Sequence, residues 1–175
     1  MFLRFTNAQS ESGNGNAEIN FKMRALTVRQ PWANLLCEGV KTVEVRSWPT
    51  EYRGELLITA ARVPDNVFWN DTEDNIKRLL HAGCIIGVVE LFDCRPMTTD
   101  DEEDALCTHK RGDWAWHVKP KRWCRPDKVT GQLKLFDVPD DKIVLLQESQ
   151  VDEWIFDYPY PQGDKKWNSK CMLLG

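Results

Sequence analysis

From Arg24 the chain alternates, with Leu26 and Val28 on one side and Thr27 and Arg29 on the other, the period-two pattern of a half-buried strand. Gln30-Pro31 interrupts it. Proline suits the first position of a helix, and Trp32, Leu35 and Leu36 then share one helical face. Gly39 is placed to end that helix in the left-handed conformation. A second alternation, Thr42 to Arg46, predicts a strand with Val43 and Val45 inward and Thr42, Glu44 and Arg46 opposite. Ser47-Trp48-Pro49-Thr50 breaks it, and Tyr52-Arg53-Gly54 turns into a third strand, Glu55 to Ala61. Pro64-Asp65, followed by Val67, Phe68, Ile76, Leu79 and Leu80, predicts one or two helices ending at Gly83. Ile85 to Phe92 is almost continuously apolar, as in a central strand covered on both faces. Trp114 to Lys119 reads as a further strand, and Gly131 to Val138 as a short strand pair leading to Pro139.

Strands outnumber helices and their connections are short. The expected fold is α+β, a twisted and mostly antiparallel sheet closing toward a small β-barrel flanked by helices. Residues 1–22, rich in Asn, Ser, Gly and Glu and without periodicity, are expected to form a disordered tail. Residues 23–147 then make one domain. Residues 148–175 form a C-terminal extension whose Trp154, Phe156, Tyr158, Tyr160 and Trp167 stand among prolines. It is too aromatic for a free linker and is expected to pack on the domain or on a protein partner.

Composition narrows the class. With 42% hydrophobic positions among 175 residues, disorder throughout is excluded. No apolar run approaches the roughly 20 residues that span a bilayer, so no membrane partner is expected. Met1 to Asn20 lacks an apolar export core, which points to a cytoplasmic protein with reduced thiols at its six cysteines. There is no Cys-x-x-Cys, and Cys107-Thr108-His109 followed by His117 and Cys124 matches no standard zinc spacing. Neither metal nor cofactor is expected.

The net charge of −4 hides an asymmetry. Asp100 to Asp104 is an unbroken acidic run, expected to be a solvated helix face or loop. Directly after it come Lys110, Arg111, Lys119, Lys121, Arg122 and Arg125, interleaved with Trp114, Trp116 and Trp123. Cations for phosphates and indoles for bases suit a nucleic-acid track. The competing reading puts Trp114 and Trp116 in the core, with the lysines solvating a loop.

Ala25 to Ala33 (ALTVRQPWA) and Gly39 to Thr50 (GVKTVEVRSWPT) resemble the ASCH domain family. Tyr52 to Ile58, Gly87 to Leu91 and Gly131 to Phe136 are similar to later segments of it, so the likeness spans about Met23 to Leu146. The resemblance implies a PUA-like β-barrel, an association with RNA, and a cleft beside the barrel near the Gly-x-Lys-x-x-Glu-x-Arg signature. Arg29, Gln30, Trp32, Lys41, Glu44, Arg46, Ser47 and Trp48 are the candidate ligand-binding residues, for RNA or a nucleotide, with DNA left open. Cations beside a carboxylate suit a phosphate plus a hydrogen-bonded base, and Trp32 or Trp48 supplies stacking. The plain alternatives are an exposed Glu44–Arg46 ion pair of little worth and a Trp32 that belongs to the core.

One branch of the family hydrolyses acylated cytidine with a signature Lys, a Thr three residues later and a Glu from a following helix; other members are ribonucleases. Lys41 matches the Lys, Glu44 stands where the Thr belongs, and the third residue has no match here. A hydrolase would use Lys41 and Glu44 as its catalytic pair, the carboxylate activating water and the ammonium polarising a carbonyl. Thr42 and Ser47 are poor nucleophile substitutes, since a hydroxyl needs an aligned base and Lys41 and Thr42 point to opposite faces of a strand.

Overall fold

The structure is a computed structural model that describes residues 21–66, 81–147 and 149–151. Expectations for the N-terminal tail, for the helices around Val67 to Leu80 and for the aromatic extension fall largely outside the described residues. The chain forms β1 (Lys22–Val28), α1 (Trp32–Glu38), β2 (Val43–Arg46), β3 (Gly54–Ala60), β4 (Ile85–Pro96), α2 (Glu102–Ala105), β5 (Trp114–Trp123) and β6 (Phe136–Pro139). As expected, α1 ends at Gly39 in the left-handed conformation, with φ at +85°. A Cβ there would also sit 3.0 Å from Pro120 Cγ, so both backbone and space call for glycine.

The strands build one six-stranded sheet in the order β2-β5-β4-β3-β1-β6. β1 runs parallel to β3, while every other neighbour is antiparallel. Among the described residues three apolar clusters hold it together. Leu26, Val28, Leu36, Leu56, Ile58, Leu91 and Trp116 pack on the face that carries α1. Ala25, Leu57, Ile85, Val88, Phe136 and Val138 fill the other face. Val43, Met97, Ala105 and Ala115 form a smaller third cluster beside α2.

The expected closure into a barrel is not found. β2 and β6 are the two edges of the sheet, and no backbone ladder joins them among the described residues. The reason lies in β1. β6 pairs with it only from Lys22 to Ala25, so β1 runs on past the end of its neighbour. The carbonyl of Val28 accepts from Ala61 N on the β3 side at 2.8 Å. That of Thr27 instead accepts from Arg46 Nη2 of β2, at 2.7 Å. A side chain thus spans the seam that backbone pairing leaves open.

Other expectations are corrected in detail. β4 and β5 extend well past Phe92 and Lys119, to Pro96 and Trp123. Two irregularities between them, at Val88/Val89 and Leu91/Asp93, break the simple alternation. Of the strand pair at Gly131–Val138 only Phe136–Pro139 pairs, because the preceding segment lies against β1: a Cβ on Gly131 would meet Thr27 Oγ1 at 2.5 Å. The acidic run is not wholly solvated. Asp101 is buried, accepts from Arg95 at 2.6 and 2.8 Å, and caps the turn at Thr98. Among the described residues no helix is long and apolar enough to cross a membrane, and Cys37, Cys84, Cys94, Cys107 and Cys124 are free thiols.

Candidate functional site

β2 owes its character to having both faces covered. Val43 and Val45 pack with Met97, Ala105 and Cys107. Glu44 is paired across the ladder with Trp116, so it shares the face of the largest core cluster rather than facing solvent. Its side chain is only 10% exposed, an unusual setting for a carboxylate.

Two cations offset that burial. Arg46 Nη2 lies 3.1 Å from Glu44 Oε1, and Lys41 Nζ lies 3.7 Å from Glu44 Oε2. Lys41 is itself buried and donates to the carbonyls of Val43 and Ala105, both at 2.6 Å. It therefore ties β2 to α2. Burial holds its ammonium below the usual lysine range, against the opposing pull of Glu44 and Cys107. Trp32 stands with its ring centroid 5.9 Å from Lys41 Nζ, and its indole N–H donates to Asp65 Oδ2 at 3.4 Å. Arg46 keeps a buried Nε–H with no hydrogen-bond partner.

The other sequence candidates divide. Gln30 is fully buried and spent on structure, donating to Asn34 Oδ1 at 2.7 Å and to the His81 carbonyl at 2.9 Å. Arg29 and Ser47 are exposed at the ends of β1 and β2. Trp48 is half-buried, standing edge-on against Trp116 at 4.7 Å and 84°, with its carbonyl accepting from the Trp116 indole at 3.2 Å. The structure brings Lys41, Glu44, Arg46 and Trp32 together around the seam. Trp116 is core, and Trp114 and Trp123 pack against it and, like Trp48, are half-buried. Lys110, Arg111, Lys119, Lys121, Arg122 and Arg125 are all exposed.

Sequence reasoning missed the Thr27 carbonyl, since no side-chain pattern marks a backbone acceptor at a strand edge. It also missed the Arg95–Asp101 pair, hidden in a run of like charges. As for chemistry, the seam holds a guanidinium whose buried Nε–H lacks an acceptor beside a carboxylate fixed between two cations.

The ASCH domain family model matches residues 26–157. The chain is 39% identical over 80 residues to activating signal cointegrator 1 from Homo sapiens and 38% identical to that of Mus musculus. Those alignments take in 39% of this chain and 14% of each relative, so the chain matches a small part of their length. The crystal structure of ASCH from Zymomonas mobilis aligns at 12% identity and a TM-score of 0.44, over 77% of this chain and 94% of that one.

Proposed function

Because this chain belongs to the ASCH domain family, matched over residues 26–157, we propose that it binds single-stranded RNA or a nucleotide at the seam between β1 and β2. The observation that carries this reading is the unpartnered Nε–H of Arg46. Buried donors are nearly always satisfied, and this one belongs to a side chain whose other bonds already fix it to Thr27 and Glu44. A phosphate or base oxygen is the acceptor it lacks. Arg29 adds a second cation at the end of β1, Glu44 accepts from a base amine, and Trp48 offers a partly exposed ring for stacking. Lys41 serves by positioning, since its ammonium is committed to two carbonyls.

The test is a salt titration of a labelled oligouridine against wild type and Arg46→Ala. Wild type is expected to weaken steeply with salt. Each phosphate that the variant no longer neutralises lowers the log–log slope by about 0.7 for a single strand. Binding that ignores salt, or Arg46→Ala binding as well as wild type, would sink the proposal. Competition with the matching DNA oligomer tells whether the 2′-hydroxyl is read.

A hydrolase acting through Lys41 and Glu44 is the second reading, favoured by the proximity of a depressed-pKa amine to a carboxylate, 3.7 Å apart. The burial of Lys41 and its two short bonds to carbonyls weigh against a direct role on substrate. Turnover of acylated cytidine or RNA that disappears in a folded Glu44→Gln protein would reverse that order.

A further inference from the structure

The face of β4 and β5 opposite the seam carries an aromatic side chain that no core claims. Phe92 is 45% exposed in the middle of a twelve-residue strand. It stands at the register shift between Leu91, which pairs with Val118, and Asp93, which pairs with His117. Phe92 is thus the extra residue of a bulge, the device by which a strand re-aims one side chain. A second shift leaves Lys121 between Pro120 and Arg122, which pair with Val89 and Val88. The two irregularities turn an aromatic ring and a cation out of the same strand pair.

The surroundings of the ring are polar and cationic. Lys119 Nζ lies 4.8 Å from its centroid, and the His117 ring is tilted by 51° at 6.0 Å. Three of the nearby carboxylates have cationic partners, while Glu55 stands directly across the ladder from Glu90. Glu90 meets Lys121 at 3.1 Å, Asp93 meets Arg53 at 3.5 Å, and Asp101 meets Arg95 at 2.6 Å. The patch therefore carries both signs, with the Lys119 ammonium set over the ring itself. Trp116, by contrast, occupies the α1 face, as do Glu44 and the main core.

We infer that Phe92 is a stacking platform for a base of single-stranded RNA, with Lys119 and Lys121 on the accompanying phosphates, separate from the β1–β2 seam. This inference rests on the RNA-binding reading. An exposed ring gives a sequence-tolerant stack, because every base has a π-face, and flanking lysines supply the salt-dependent part. The pairing of Lys121 with Glu90 is an exposed one that a phosphate can replace.

The experiment measures the affinity of a fluorescein-labelled oligouridine of about twelve nucleotides, within the span of such sites, for wild type, Phe92→Ala, Phe92→Trp, Lys119→Ala and Arg46→Ala. Phe92→Ala is expected to weaken binding by roughly 5- to 100-fold with an unchanged salt slope. Phe92→Trp restores it, and Lys119→Ala lowers the slope by about 0.7. A melting temperature kept in Phe92→Ala shows that the loss is not unfolding. If Phe92→Ala binds like wild type while Arg46→Ala is weakened, the platform is wrong and the seam stands. If Phe92→Ala is weakened and Arg46→Ala is not, the seam is wrong and the platform stands. Weakening by Phe92→Ala that Phe92→Trp fails to restore overturns stacking, and no binding by wild type overturns both.

Discussion

Lys41→Met is expected to destabilise the fold by about 3–5 kcal/mol, the range for removing one partner from a buried charge pair. The substitution keeps the length of the side chain, so little of the loss is a cavity. What goes is the cation 3.7 Å from Glu44 and the donor shared by the Val43 and Ala105 carbonyls. Arg46 still faces Glu44 at 3.1 Å, which places the loss toward the lower end. Urea denaturation gives the number, and a cost below about 1 kcal/mol would show that Lys41 is not a tie between β2 and α2. Lys41→Met/Glu44→Leu is expected to recover much of the loss, because replacing a whole buried pair is far milder than breaking it.

The same residue carries a pH signature. Burial lowers the Lys41 pKa in the folded chain. Between that value and the ordinary one near 10.5, the unfolded chain binds the proton that the folded chain has released. Stability from this group therefore rises with pH across that window, and below it the full cost of the buried cation applies. Burial raises the Cys37 and Cys124 thiols, whose effect runs the other way at alkaline pH. The comparison must be wild type minus Lys41→Met with both carrying Cys107→Ala, so that Cys37 and Cys124 cancel and Cys107, whose raised thiol is coupled to Lys41, is removed from the window. A difference that is flat toward pH 10.5 would contradict the lowered value.

Asp101→Ala ranks second, at about 2–4 kcal/mol. One 3%-exposed carboxylate accepts from Arg95 at 2.6 and 2.8 Å, from Thr98 N at 2.8 Å and from the Thr98 hydroxyl at 3.0 Å. Arg95 is 41% exposed and can turn to water, which keeps the figure below that of a fully buried pair. Burial pushes the Asp101 carboxyl up, but the bonds from Arg95 and Thr98 outweigh it and leave its pKa below the ordinary value. With the folded value depressed, the stabilisation is complete above the unfolded pKa and is lost as pH falls through the folded one. Melting curves from about pH 5 downward should therefore converge for wild type and Asp101→Ala. A constant gap down to the lowest pH would remove Asp101 as the acid-sensitive group.

Much of the fold was legible because β1, α1, β2 and β3 follow simple periods, and Pro31, Gly39 and Gly54 mark their ends. Legibility failed where period stopped being the governing signal. Phe92 and Lys121 stand at irregularities that reset alternation, so β4 and β5 read as shorter than they are. Gly131 to Leu135 looks like a strand, yet Gly131 is there for close approach to Thr27 and only Phe136 onward pairs. Many short strands with short connections point to barrel closure and the family resemblance reinforces it, whereas the open seam depends on where β6 stops. At the site, Lys41, Glu44 and Arg46 were marked as a set by the signature. Their burial was not, because an alternating charged strand looks solvated until its other face proves to be covered too. Asp101 shows the same blind spot: one of five adjacent acids is internal, and only the partner at Arg95 singles it out.

The pairing of β1 with β6 sets a rule for the order of assembly. Arg24 and Asp137, joined at 2.8 Å, are 113 residues apart in the chain. During synthesis β1 is therefore made long before the strand that completes its edge, and its parallel partner β3 must also cross over α1 and β2 to reach it. Pairings of such long range close late and slowly, since the entropy of a large loop is lost before any ladder bond offsets it. β1 can nonetheless pair with β3 across about the same span that joins β3 to β4, since Leu57 lies 32 residues after Ala25 and 31 before Val88, so it is the β6 edge of β1 alone that stays open until β6 is made.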